Sequence, residues 1–331
     1  MAWRAGAVRV CLAAFCAGYW PIGAVRPWSI AAWNQHRKSS YIQKDCVWLE
    51  RLLHLHSKDE ILRGLEELQL SYSGAELQTW VRSHDLVAVQ EADPLFCRAL
   101  GDVQPLLRGQ DDLDGRGVQV ESCSALVLGN ARLLCREQAV LSRPLFRRRR
   151  CSRDHTVALV ERPDGQRLVV CSVHLHVPFW DMTCLPFKRY LQPLRRAVEA
   201  AAGVEEGRLQ TPCLLLGDFN VDPEHFKELL GVSRFWDQFQ IVTPGSRTAH
   251  ASNPAVRGDF ALVTKGLWQG RALGPENFEA FERHAERVFQ ALRRDGRGSK
   301  GPGPRFESAL RRTLLNSDHR PLHFSGVLEA A

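Results

Sequence analysis

Eight side chains able to bind a cation, move a proton or hold an anion lie at or beside the ends of apolar runs in this chain: Asn34, Glu91, His174, Asp218, Asn220, Asp259, Asp318 and His319. The most informative stretch is residues 214–220, LLLGDFN. Gly217 allows the chain to turn off a buried strand, and Asp218 and Asn220, two apart, can point the same way. The first is an oxygen ligand or base; the second is a neutral amide that can position water or a phosphate oxygen. A carboxylate at the end of so apolar a run is costly unless it is paired, hydrogen-bonded or metal-bound, although the same pattern suits a helix N-cap and loop turn. Residues 317–319, SDH, set a second carboxylate beside an imidazole that can act as base or acid near neutral pH, or form an ordinary surface turn. Residues 87–91, VAVQE, place an acid directly after a buried run, and residues 172–175, SVHL, do the same with a histidine. Each alone could be a strand end facing solvent. Their recurrence together is what points to a site.

The elements that must position them follow from hydrophobic spacing. Residues 28–33, WSIAAW, read as a strand ending at Asn34, and residues 85–90 as a buried strand that stops at Glu91. Between them, residues 44–82 have helical spacing, with Ile61, Leu62, Leu65 and Leu68 at three- and four-residue steps and a turn at Ser73-Gly74. Residues 124–129, 133–141 and 156–161 read as strands, and Pro163-Asp164-Gly165 joins the last of these to 167–173 as a hairpin. Residues 185–202 are helical, 213–216 (CLLL) read as a strand covered on both faces, and a helix starts near Asp222-Pro223. A strand over 260–263, an amphipathic helix over 277–294, a flexible linker over 297–304 (RGSKGPGP) and a last strand over 322–327 complete the pattern. Strand ends on a rigid sheet are where sites are commonly built, because the scaffold fixes side-chain directions. Interleaved strands, helices and hairpins imply an α/β sandwich with mixed sheets in one domain.

Length and composition agree with this. A chain of 331 residues, 44% hydrophobic and 24% charged, can bury a large core and is not disordered. Its net charge of +7 favours polyanionic partners such as nucleic acid, anionic membrane or phosphorylated small molecules, or is simply an Arg-rich surface. The ten cysteines include no CxxC pair and no Cys/His cluster with zinc spacing, and Cys171 and Cys213 fall within apolar runs. Free thiols and an intracellular location are therefore expected. Residues 10–19 are mostly apolar, follow Arg4 and Arg9, and are broken by Pro21, and no acidic residue precedes Asp45. Residues 1–26 are read as a leader or a targeting segment too short to span a bilayer, and residues 27–331 as the catalytic domain.

Taken together, WN at Trp33-Asn34, QE at Gln90-Glu91, HL at His174-Leu175, GDFN at 217–220, RxDF at 257–260 and SDH at 317–319 resemble the endonuclease/exonuclease/phosphatase superfamily. The resemblance implies a DNase I-like four-layer α/β sandwich, with two packed mixed β-sheets flanked by helices. It implies Mg²⁺ as cofactor, with Mn²⁺ able to substitute, bound by Glu91 with Asn34 and Asp318 close to the metal. Asp218 and Asn220 would orient the attacking water and hold the phosphate. His319, supported by Asp259, would pair with a phosphoryl oxygen or serve as base, and His174 would contact the phosphate or assist the leaving group. The chemistry suits the residue types: an anionic phosphodiester needs charge neutralisation and a positioned nucleophile, and Mg²⁺ takes oxygen ligands while keeping several waters. Position 258 departs from the family in being glycine where a branched apolar residue is usual, and the segments 35–85 and 260–317 are expanded. His176 stands beside His174 as a second histidine.

Within that family, the expected substrate is a nucleic-acid phosphodiester. Arg143, the run Arg147 to Arg150, and Arg293, Arg294, Arg297 and Lys300 would line a backbone-binding surface, although a hairpin tip of solvated arginines has the same sequence. A phosphoinositide or inositol phosphatase, or a sphingomyelinase-like lipid phosphodiesterase, is the alternative. A relative that binds without catalysis is disfavoured by the intact Glu91, Asp218, Asn220, Asp318 and His319. Nothing in the sequence calls for a protein partner, and a monomer is expected.

Overall fold

The computed structural model describes residues 26–34, 81–90, 119–144, 150–176, 183–244, 258–275 and 322–328. Two mixed sheets form its frame. In the first, the strand order is β13 (Trp268–Pro275), β14 (Leu322–Leu328), β1 (Trp28–Asn34), β2 (Leu86–Gln90), β4 (Ala125–Leu128). Only β1 and β2 run parallel there. In the second, the order is β11 (Phe239–Val242), β12 (Asp259–Thr264), β10 (Cys213–Asp218), β7 (Arg167–His174), β6 (Arg150–Glu161), β3 (Gln119–Cys123), with β5 (Arg132–Pro144) also paired to β6. There β10 runs parallel to β7 and β3 parallel to β6. A two-stranded ribbon, β8 (Val204–Glu205) and β9 (Arg208–Leu209), stands apart.

The continuous apolar run of β10 shows why these strands bury both faces. Leu214 and Leu216 enter a core shared with Ile30, Ala32, Leu86, Ala88 and Phe324 of the first sheet. Cys213 and Leu215, pointing the other way, enter a second core with Phe187, Leu194, Val198 and Phe226. The latter four lie on α1 (Cys184–Tyr190), α2 (Gln192–Ala202) and α3 (Pro223–Leu230). Each buried Leu or Val adds roughly 1.5–3 kcal/mol of transfer free energy. Cys171 and Cys213 are buried free thiols, and burial pushes Cys213 up to about 12.

Several local readings hold and others are corrected. Asp222 caps α3, its Oδ1 accepting from the Glu224 N–H at 3.1 Å, with Pro223 in the first position. The helix expected over 185–202 is two helices broken at Leu191, because Pro193 has no N–H to continue the ladder of α1. The strand expected over 156–161 begins at Arg150, and the one over 133–141 runs from Arg132 to Pro144, so the two form one long hairpin. Strands β3, β8, β9, β11 and β13 were not expected. The segments 277–294 and 297–304, all of the expected leader over 1–26 but Arg26, and all of the helical segment over 44–82 but its helical residues 81 and 82, lie outside the described residues.

The sheets are tied together at both ends. At one end, Asp85 is fully buried and accepts from the Ser29 N–H at 3.0 Å, with Arg26 Nη2 3.0 Å from Oδ1 and Arg162 Nη1 3.7 Å from Oδ2. Arg162, in the turn between β6 and β7, also donates to the carbonyls of Arg26 and Pro27, each at 2.9 Å, bonds Asp164, and lies 4.7 Å above the Trp28 ring. At the other end, Gln90 Nε2 donates to Ser172 Oγ at 2.8 Å, and that hydroxyl donates back to the Val89 carbonyl at 3.2 Å. Gly217 permits this approach. It has φ 142°, and a Cβ there would stand 2.3 Å from the Val173 carbonyl oxygen and 2.8 Å from Gln90 Nε2. Gly217→Ala should therefore lower unfolding free energy by about 2–4 kcal/mol, combining overpacking with an unfavourable backbone conformation. Gly165→Ala is the control. Gly165 also has positive φ, but no atom lies within 4 Å of the added carbon, so urea unfolding should show the smaller loss.

Candidate active site

The strand ends converge on Asp218. The register of the second sheet sets Asp218 opposite His174 on β7 and opposite Asp259 on β12, so three of the expected residues share one row across β7, β10 and β12. Asn34, at the end of β1 in the first sheet, crosses the gap: its Nδ2 donates to Asp218 Oδ2 at 2.9 Å. Asp218 Oδ1 accepts the Asn220 backbone N–H at 2.8 Å. Both carboxylate oxygens are thus held, which answers the cost of placing an acid at the end of an apolar strand. His174 Nε2 lies 3.8 Å from Asp218 Oδ2, too long for a hydrogen bond but close enough for an ion pair when the ring is protonated. Asn34, His174, Asp218 and Asp259 are all buried, and Asn220 is half-buried.

Asn220 takes a left-handed conformation, φ 52°, which asparagine tolerates better than most residues. Its Nδ2 donates to the Leu175 carbonyl at 2.7 Å, while the Leu175 N–H donates to the Asp218 carbonyl at 2.9 Å. The chain after β10 is therefore stitched to the chain after β7. The glycine at 258 has a local reason. A Cβ there would stand 3.0 Å from Asp218 Oδ1 and 3.2 Å from both Cα and N of Asn220, so a branched residue would press on the carboxylate. Glu91, Asp318 and His319 lie outside the described residues, as does Arg257.

Sequence reasoning missed two residues behind this row. His155 is buried beneath the end of β7: its Nε2 receives the His174 N–H at 3.1 Å and lies 3.0 Å from the His174 carbonyl oxygen, while its Nδ1 is 3.2 Å from the Arg153 carbonyl oxygen. The Arg153 guanidinium donates to the Leu175 carbonyl. A histidine two residues ahead of the buried VALV run was the available signal, but the strand was begun one residue after it. His176, the other histidine of the HLH triplet, is held by the Tyr190 hydroxyl at 2.8 Å from Nδ1.

The donors suit a hard cation. Asn34, whose nitrogen donates to Asp218, also carries an amide oxygen of the kind that such a cation takes. Gln90, one residue before Glu91, holds its Oε1 buried without a donor among the described residues, an acceptor that a metal-bound water would satisfy. No group of three or more His, Cys, Asp or Glu side chains placed to hold a metal ion occurs among the described residues. Two of the three expected ligands, Glu91 and Asp318, lie outside them.

No known family profile matches the sequence, and no curated protein matches it. Solved structures do. SmcL aligns at 12% identity over 92% of this chain and 99% of its own, with a TM-score of 0.53. ANGEL2, described as a 2',3'-cyclic phosphatase, aligns at 14% identity over 92% of this chain and 98% of its own, with a TM-score of 0.51. Both belong to the endonuclease/exonuclease/phosphatase superfamily. This chain has the DNase I-like α/β sandwich fold of that superfamily.

His155 gives the site a pH signature in stability. Its burial, chiefly, and then the Arg153 cation lower its pKa from 6.5 to about 4, against hydrogen bonds to main-chain groups that act the other way. The folded state therefore disfavours protonation that the unfolded chain accepts. This contribution to stability is complete above pH 6.5 and is lost as pH falls towards 4, a change of about 3 kcal/mol. Urea unfolding of the wild type and of His155→Asn across this range should show the wild type losing that much more stability on acidification.

Proposed function

We propose that this chain is a divalent-metal-dependent phosphoesterase that hydrolyses phosphodiester bonds, with nucleic acid as its substrate. The observation that carries the reading is the convergence of Asn34, His174 and Asn220 on the Asp218 carboxylate, from strands of both sheets, within a DNase I-like fold. Asp218, held by two donors, has a fixed direction from which to orient a water and accept its proton. Asn220, with its nitrogen on Leu175, keeps an amide oxygen to position that water or a substrate hydroxyl. His174 is the group to contact a phosphoryl oxygen or protonate a leaving oxygen. His319, supported by Asp259, is assigned to the phosphate as well. Glu91 and Asp318, with the Asn34 oxygen, would hold Mg²⁺, or Mn²⁺ in its place. When bound, the ion would neutralise phosphate charge.

The basic balance of +7 and the arginines at 147–150 support nucleic acid over a lipid head group. ANGEL2, named for action on a 2',3'-cyclic phosphate, is a fold neighbour with phosphoester chemistry of the same kind. Purified protein should hydrolyse single-stranded DNA or RNA in Mg²⁺, lose the activity in EDTA and regain it when Mg²⁺ is restored. Asp218→Asn should lower kcat by about 10²–10⁴-fold, as expected for loss of a positioned base. Turnover of inositol phosphates or sphingomyelin without nuclease activity would replace the substrate assignment. Full activity in Asp218→Asn would refute the site.

A further inference from the structure

Strand β6 changes neighbour part-way along its length. From Glu161 to Val157 it pairs with β7, the last rung being Val157 with Cys171. One edge of β6 is occupied by β5 throughout, from Arg132 opposite Glu161 to Pro144 opposite Arg150. On the edge that β7 has left, β3 takes over, pairing from Gln119 opposite Cys151 to Cys123 opposite Asp154. The sheet forks between Asp154 and Val157. Past the fork, the end of β7 has no backbone partner on β6, although its peptide groups remain buried and need one.

Side chains of β6 supply it. The His155 ring meets the His174 peptide at 3.0–3.1 Å, and the Arg153 guanidinium donates to the Leu175 carbonyl. Thr156 ties the other arm, its hydroxyl donating to the Ser124 carbonyl at 3.0 Å. The Leu175 carbonyl therefore has two donors: Arg153 from β6 and the Asn220 amide, at 2.7 Å, from the loop after β10. A carbonyl can accept both, and the charged, planar donor is the stronger and less adjustable of the two. Asn220 in turn sits at φ 52°, a conformation that its surroundings must hold.

We propose that Arg153 is a positioning residue of the hydrolytic site: it fixes the Leu175 carbonyl, and the carbonyl fixes the Asn220 side chain beside Asp218. The inference rests on the function proposed above, because it assigns Asn220 a role in that chemistry. Arg153 touches no reacting atom in this scheme. Its effect passes through one peptide group to one amide.

The test is a double-mutant cycle with single-turnover kinetics on the nucleic-acid substrate that the wild type hydrolyses. Arg153→Gln should lower kcat about 10- to 100-fold, the usual cost of a small misplacement, with KM changed by less than about twofold. In an Asn220→Ala background the same substitution should cost nothing further, because the group it positions is already gone. Losses that simply multiply would overturn the proposal, as would a raised KM with unchanged kcat, which would make Arg153 a substrate contact. If Arg153→Gln does not fold, Arg153→Lys, which keeps the charge but not the fixed fork, replaces it in the same cycle with the same criteria. The side-chain amide resonances of Asn220 give a readout independent of turnover: they should shift in Arg153→Gln, and unchanged resonances would refute the link. Should the wild type hydrolyse nothing, the functional reading fails on that result alone, and the amide resonances still decide whether Arg153 positions Asn220.

Discussion

The arrangement of this site depends on how closely the two sheets approach at Gly217. Face-to-face sheets usually lie about 10 Å apart, filled by interdigitating apolar side chains. At this point the filling is polar and short. Gln90 reaches from the first sheet to Ser172 on the second, and the hydroxyl returns a bond to Val89. The Gln90 amide occupies the space that any side chain at 217 would need. Because of that approach Asn34, on the first sheet, can place its nitrogen 2.9 Å from a carboxylate on the second. A wider gap would leave the same residues on the same strands without contact.

One bridge would allow the sheets to hinge, and the buried charges at the opposite end remove that freedom. Asp85 and Arg162 are both almost wholly buried, and each charge has a second partner, Arg26 for Asp85 and Asp164 for Arg162. Arg26, the carbonyls of Arg26 and Pro27, Gln166 and the Trp28 ring satisfy the remaining guanidinium and carboxylate groups. Between the two bridges lies the apolar core of Ile30, Leu86, Leu214, Leu216 and Phe324. The sheets are thus fixed relative to one another at both ends, and a site built from both can be rigid without being built on one strand.

Much of this was legible in the sequence because strand ends are marked by abrupt changes from apolar to polar residues. WSIAAWN, VAVQE, SVHL and LLLGD mark the ends of β1, β2, β7 and β10 by the same signal, and Asn34, His174 and Asp218 stand there. What was missed has physical reasons. Strand β13 contains Gly270, at φ 57° in a register shift, and ends in Pro275, so its residues read as a loop until β14 pairs with them. Strand β3 is short and polar, and it exists because the fork in β6 leaves an edge for it. Pro193 had the ordinary meaning of a helix break, but the apolar spacing continues across it, because α1 and α2 both feed the same core. Arg153 gave no signal, and the histidine ahead of the buried VALV run showed its place but not its role, for another reason. Their roles come from the departure of β7, a tertiary event that no local pattern records.

The fork also explains why two histidines so close together have different chemistry. His174 is on the strand that leaves, with a carboxylate oxygen 3.8 Å from its ring. His155 is on the strand that stays, facing main-chain groups and the Arg153 cation, and is held neutral down to a pH of about 4. One ring faces a carboxylate at ion-pair distance; the other has a reason to avoid a second proton and serves as a hydrogen-bonding wedge. A continuous ladder between β6 and β7 would have satisfied the peptide of His174 without His155, but it would also have kept the end of β7 in line with the sheet. Parting the strands frees the Leu175 carbonyl to receive Arg153 and Asn220. The polar wedge and the placement of the site therefore have one cause, the point at which β7 leaves β6.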